Sequence, residues 1–344
     1  MSVFNMSPRS QITSLRGSAS AWSRLSIADW SGLAASSAAI LFCGFLAGEY
    51  AKQVLILFMI NLMLVTSYRL ITTMGGWSFA HIAFAALGAY TMALLTTSLG
   101  LSFWIAIFAG VLVAAAAALL LAYPLLRTRQ YNFFLATFAA SAAIQQSLIQ
   151  FSSLTGGTNG IAFILRPSSF LGLSFEGNIG FFVLVFILTV AVTIALLTLD
   201  RSQFGRTIRA VAMNEQPVRN PLESTDWGYR TLAFVTGSAI AGLAGVLLGN
   251  FNAIVNPSDF GPSFMFKIAA AVIVGGTTTF SGPILGLIFL TAIEEIFRGS
   301  AQYIPFFWGL SVILIILFSR GGIEDFIYRI IFRQPMAAGG RSGA

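Results

Sequence analysis

The sequence predicts an all-α, polytopic membrane protein of about ten transmembrane helices, with both termini cytoplasmic. Three observations carry that expectation. The chain of 344 residues is 57% hydrophobic and only 9% charged, where a soluble domain carries about 25% charged residues. Its mean hydropathy is +0.84. Apolar stretches of the length a bilayer requires, about 20 residues, fall at approximately 30–48, 53–70, 78–97, 102–126, 131–151, 178–199, 231–250, 264–279, 282–297 and 304–319. Finally, a cytoplasmic N-terminus puts fifteen of the nineteen basic residues on the inner side, leaving Lys52, Arg166, Lys267 and Arg298 outside or near that face. The reverse orientation would invert the bias. The net charge of +7 therefore reflects arginine retention at a membrane rather than nucleic-acid binding.

Taken in order, residues 1–28 are Ser/Arg-rich and free of acids, with Arg9, Arg16 and Arg24. They lack the early apolar core of a secretory signal and read as a cytosolic tail, with an organellar transit peptide as the alternative. Residues 29–325 form the transmembrane domain, and 326–344 a second cytosolic tail. The single cysteine, Cys43, lies in an apolar run and excludes an internal disulfide.

Three interruptions mark the membrane domain. In Thr72–Tyr90, Gly75 and Gly76 relax the backbone before a helix rich in small residues and containing His81, the only histidine. Ser152–Ile161 is a polar, Gly-rich loop that the topology places outside. Val274–Gly286 carries Gly275, Gly276, Gly282, Pro283 and Gly286. Irregular backbone at membrane depth survives only when buried in protein or lining a wet cavity. Gly75, Gly76, His81, Gly275 and Gly276 are thus candidates for a substrate path; interfacial turns and close-packed helices explain the same residues equally well. Glu294 and Glu295 fall near the end of the ninth span, within reach of Arg298 for a structural ion pair, with a role in the permeation path as the alternative, and Lys267 can snorkel.

The longest polar interruption, about 201–230, holds Arg201, Arg206, Arg209, Arg219 and Arg230. Within it Phe204, Ile208, Val211 and Ala212 recur at helical spacing, with Arg206, Arg209 and Gln216 opposite. A charged cytoplasmic helix with an apolar stripe requires a partner for that stripe, either another protein or the cytoplasmic ends of the chain's own spans. No GxxxxGK[ST] loop, HExxH or Cys/His metal spacing occurs, and a catalytic triad would have to use His81 without a nucleophile motif. Ion-coupled carriers keep buried charges in several spans, and these are scarce. The pattern points to a transport body without cofactor, driven by separate subunits.

Four stretches together resemble the integral membrane permeases of branched-chain amino acid ABC importers, of the LivM type. They are GGWSFAHIAFAALGAYTMALL (75–95), YNFFLATFAASAAIQQSLIQFSSLTGGTNGI (131–161), GRTIRAVAMNE followed by YRTLAFVTGSAIAGLAGVL (205–247), and PSDFG followed by IAAAVIVGGTTTFSGPILG (257–286). The resemblance covers most of residues 50–325. It implies a multi-pass protein of the bacterial inner membrane, embedded in lipid. The implied partners are a second, LivH-like permease, two cytosolic ATPase subunits and a periplasmic substrate-binding protein. It also implies that the cytoplasmic loop seats in the ATPase, which assigns coupling to Phe204, Gly205, Arg206, Ile208, Arg209, Val211, Ala212 and Glu215. The chain departs from the pattern at QPVRNPLESTDWG, which is longer, contains Pro217 and Pro221 and lacks the usual glycine. It departs again at Thr278, which replaces a glycine, and in its N-terminal tail. A sugar-importer permease of the same superfamily, an ion-coupled secondary carrier, and a membrane scaffold or receptor are the competing readings.

Overall fold

The computed structural model describes residues 37–38, 40–42, 44, 48–128, 130–164, 166–167, 175, 177–213, 223–318 and 322–325. Both expected tails, most of the first expected span, Gln216, Pro217, Arg219, Pro221 and Glu215 lie outside them. Chain contacts separate residues 1–55 from 56–344. In the first unit, residues 37–38, 40–42 and 44 are helical, and Lys52 pairs with Glu49 at 3.0 Å.

The described chain is almost entirely helical. The long elements are α1 (Glu49–Thr72), α2 (His81–Thr97), α3 (Phe103–Leu126) and α4 (Gln130–Gln150). After the single turn α5 (Ser152–Thr155) come α6 (Asn178–Arg201), α7 (Gln203–Met213), α8 (Glu223–Asn252), α9 (Pro262–Gly275), α10 (Gly282–Ile296) and α11 (Ile304–Phe318). Five described helices are long and apolar enough to cross a membrane by length and composition. The short spans α9 and α10 are parted by a turn that starts at Gly276, so the eighth span ends at Gly275 rather than at 279.

Helix α1 is apolar on every side, and from Met59 to Ile71 its residues are buried, as expected of a helix surrounded by others. Helices α3, α6 and α11 instead expose bulky apolar side chains, among them Phe108, Leu112, Leu120, Ile187 and Leu317, the pattern of a lipid-facing surface. The tightest packing joins α2, α3 and α8. A side chain on Gly88 would strike the Gly242 backbone, one on Gly245 the Ala85 carbonyl, and one on Gly110 would come within 2.7 Å of Val246. Without a hydrophobic drive between helices in lipid, such close approach supplies the van der Waals contact that holds them.

The Ser152–Ile161 loop does not stand alone. Ile161–Ala162 (β1) pairs antiparallel with Ile254–Val255 (β2), and Gln145 of α4 donates to the Pro257 carbonyl at 3.0 Å. Gly156, Gly157 and Gly160 all have positive φ, which permits the reversal that brings the two segments together.

Candidate functional site

The expected cytoplasmic loop forms a corner. Helix α6 ends at Arg201, and Ser202 takes an extended ψ of 174°, which breaks the helical run before α7 begins. Gly205 lies in the first turns of α7 directly over the end of α6, where a Cβ would collide with the Asp200 carbonyl. Only glycine permits that approach, so the corner is written into the sequence at this position. Arg206 donates back to the Arg201 carbonyl at 2.9 Å.

Helix α7 is seated by the face that carries its apolar stripe. Ile208 is 1% exposed. The Phe204 ring tilts against Tyr229 of α8, centroids 5.6 Å apart. Ala212 lies against Gly75, where a Cβ would meet its methyl at 3.4 Å. Ile208 therefore finds its cover within this chain, while Phe204, Val211 and Ala212 remain half-buried. Gln203, Arg206 and Ala210 are exposed and form the face that α7 offers outward.

Charge organises the corner. Arg209 Nη1 donates to Asp200 Oδ1 at 2.7 Å, and its Nη2 to the Asp200 carbonyl at 2.8 Å. From the other side Arg69, at the end of α1, donates through Nη1 to the same Oδ1 at 3.0 Å. Arg69 Nε reaches the Thr279 carbonyl at 2.8 Å, and its guanidinium lies over the Phe280 ring. The turn containing Thr279 is held again by Glu324, whose Oε2 accepts from Thr278 Oγ1 at 3.1 Å and from the Thr279 amide at 3.3 Å. One carboxylate thus serves two guanidiniums, which joins α1, α6, α7 and the turn between α9 and α10. Charge-assisted bonds of this kind are about twice as strong as neutral ones.

The residues considered for a substrate path are mostly packed. His81 is fully buried; its Nε2 lies 3.2 Å from both Ser67 Oγ and the Leu64 carbonyl, and its ring tilts on Tyr68. Gly76 faces the Phe133 ring, which a Cβ would approach to 2.8 Å. Gly275 abuts the Gly282 carbonyl, and Gly276 has a φ of 100°. Gly75, with a φ of 85°, is exposed. In this structure Gly76 and Gly275 sit in close packing, and Gly75 and Gly276 in tight turns. A groove of about 330 Å³ opens elsewhere, between α2 and α4, lined by Leu87, Ala143, Ile144, Ser147, Leu148, Phe151 and Thr155. Glu294 pairs with Lys267 at 2.8 Å, and Lys267 also sits over Trp308. Lys267 points inward to its ion pair instead of snorkelling outward.

Asp200, Arg69 and Glu324 did not stand out as site residues in the sequence. Asp200 is a lone acid at the end of a span and Arg69 only one of many inner-face arginines. Nothing local brings residues 69, 200, 209 and 279 together.

The sequence pattern of the family described as branched-chain amino acid transport system, permease component, matches residues 50–319. The high-affinity branched-chain amino acid transport system permease protein LivM of Escherichia coli K12 is 29% identical over 262 residues, 70% of this chain and 61% of that protein. The permease protein BraD of Pseudomonas aeruginosa is 34% identical over 148 residues, 41% of this chain and 46% of BraD. The autoinducer 2 import system permease protein LsrC of Salmonella typhimurium LT2 is 30% identical over 182 residues, half of each chain. The chain thus spans about six-tenths of the length of the LivM proteins it matches. No solved structure matches it.

Proposed function

Because the chain belongs to the permease family of branched-chain amino acid transport systems, we propose that it is a membrane-spanning permease subunit of an ABC importer. The observation that carries this reading is the family match over nearly the whole membrane domain, residues 50–319. The protein is a multi-pass protein of the bacterial inner membrane. The solute is a small polar molecule, a branched-chain amino acid in the first instance. The similarity to LsrC over half the chain keeps an autoinducer 2-like solute as the second reading.

The partners are a second, LivH-like permease, two cytosolic ATPase subunits and a periplasmic substrate-binding protein. ATP hydrolysis belongs to those ATPases, since this chain carries no phosphate-binding loop of its own. Both termini and α7 face the cytoplasm. Helix α7 is the coupling element: Gly205, Phe204, Ile208, Val211 and Ala212 seat it on the permease, Arg206 lies on the face presented to the ATPase, and Arg209 locks it to Asp200. Glu215, beyond the described end of α7, is a contact to the ATPase rim. The exposed and half-buried charges tune docking rather than decide it, because solvent-exposed pairs are individually weak.

The test is reconstitution. Purified chain, second permease, ATPases and binding protein in proteoliposomes take up labelled leucine when ATP is supplied on the cytoplasmic side. Uptake of autoinducer 2 and not leucine by the same preparation selects the second reading. Proton-driven uptake by the chain alone, without ATPases, overturns both.

A further inference from the structure

We propose that Asp200 is a positioning residue for energy coupling: it ties the docking helix α7 to the Gly-rich turn between α9 and α10 through two arginines of unequal freedom. The proposal rests on the coupling reading above and extends it from the docking surface to the interior.

The two arginines differ in how they can move. The Arg69 side chain is 3% exposed, against 33% for Arg209. A buried guanidinium is not left without a counter-charge, because desolvation of the unpaired ion is costly. Arg69 has Asp200 as its carboxylate, and its remaining bonds anchor it to the Thr279 carbonyl and the Phe280 ring. Arg209 is the exchangeable member. It can leave Asp200 for water or for an acidic partner while Asp200 keeps Arg69.

A shift of α7 on docking therefore acts on one atom. Withdrawal of Arg209 removes one of two cations competing for Asp200 Oδ1, so the Arg69 bond strengthens and the Arg69–Thr279 contact moves with it. The turn at 276–281 must respond as a unit. On its far side Glu324, itself buried, holds Thr278 and Thr279, and Gly275, Gly282 and Gly322 leave no slack between the flanking backbones. A packed element with no slack rearranges between discrete positions rather than deforming by degrees. Among the three charged links from α7 to this turn, Arg209 is the most exposed, at 33% against 14% for Asp200 and 3% for Arg69. Thr278 supplies one of the two bonds to Glu324.

The experiment measures solute transported per ATP hydrolysed by the complete importer in proteoliposomes, for wild type, Arg209→Ala, Arg209→Lys, Asp200→Asn and the Arg209→Ala, Asp200→Asn double variant. Arg209→Ala is expected to lower transport per ATP about fivefold or more, a typical size for coupling between sites, in complexes that still co-purify with the ATPases. Arg209→Lys restores part of the loss, since it keeps the ion pair but cannot also reach the Asp200 carbonyl as a planar fork does. The double variant loses no more than Asp200→Asn alone, because both changes break the same linkage. Arg209→Ala alters a partly exposed side chain and keeps the test decisive if Asp200→Asn fails to fold. A merely structural role would reduce the yield of assembled complex and leave the transport-to-ATP ratio at the wild-type value; that result overturns the proposal. The docking premise has its own control in Arg206→Glu, Ala210→Glu, which changes only the exposed face of α7. Wild-type ATPase recovery by that variant removes α7 from docking and the proposal with it.

Discussion

Truncating Ile208 separates a helix held by its own permease from a helix waiting for a partner. The side chain is 1% exposed in the isolated chain, with Phe204 on Tyr229 and Ala212 on Gly75 as its neighbours in seating α7. Replacing a buried isoleucine by alanine costs about 2–5 kcal/mol. Since α7 is a single helix of 11 residues with an exposed outer face, the lower end, about 2 kcal/mol, is the appropriate figure. At about 1.4 kcal/mol per factor of ten, Ile208→Ala raises the released population of α7 about 30-fold. Released, a helix this short is marginal in water and exposes the bonds after Arg206 and Arg209 to trypsin. When release and reseating are fast compared with cleavage, the cutting rate follows the released population. The assay is trypsin digestion of the purified permease in detergent without ATPases, with the fragments that begin at Thr207 and Ala210 followed by mass spectrometry. Ile208→Ala should be cut about 30-fold faster at these two bonds, and ATPase recovery should fall as a consequence. Wild-type cleavage combined with lost ATPase recovery would refute the reasoning, because Ile208 would then be contributing to the partner and not to its own chain.

Two further outcomes test the membrane domain. Gly245→Ala forces a methyl onto the Ala85 carbonyl and should destabilise the permease by about 1–3 kcal/mol, as overpacking does. Gly309→Ala, on α11 with open space around it, should be neutral or slightly stabilising; equal melting temperatures of the two variants in detergent would remove the close packing of α2 and α8 as a source of stability. Lys267→Met alone strands the Glu294 carboxylate and should cost about 3–5 kcal/mol, whereas Lys267→Met with Glu294→Met should recover most of it. A double variant as unstable as the single one would mean that the pair is not what the corner between α9 and α10 depends on.

Much of this architecture is legible in the sequence because lipid imposes it residue by residue. Apolar segments of fixed length mark most helices within a few positions. Gly75–Gly76 and Gly275–Gly276 mark real breaks, since positive φ at Gly75 and Gly276 is a local demand that a local residue type reveals. Gly205 likewise announces the corner before α7, and the helical spacing of Phe204, Ile208 and Ala212 announces a stripe.

What the stripe faces is a different matter. Periodicity says that one side of α7 needs cover and is silent on whether the chain or a partner supplies it; Tyr229 and Gly75 supply part of it, and they lie in separate parts of the sequence. Glu294 takes Lys267, 27 residues earlier, because the packing of α9 on α10 brings that ammonium within reach. The strand pairing of 161–162 with 254–255 leaves no trace in either two-residue segment. Asp200 is the clearest case. Its two arginines are 131 and 9 positions away, and the carboxylate acquires its role only when α1, α6 and α7 meet. Hydrophobicity and backbone freedom belong to single residues and short windows, so the sequence determined them alone; the pairing of buried charges depends on which helices become neighbours, and that was decided by the packing of the whole bundle.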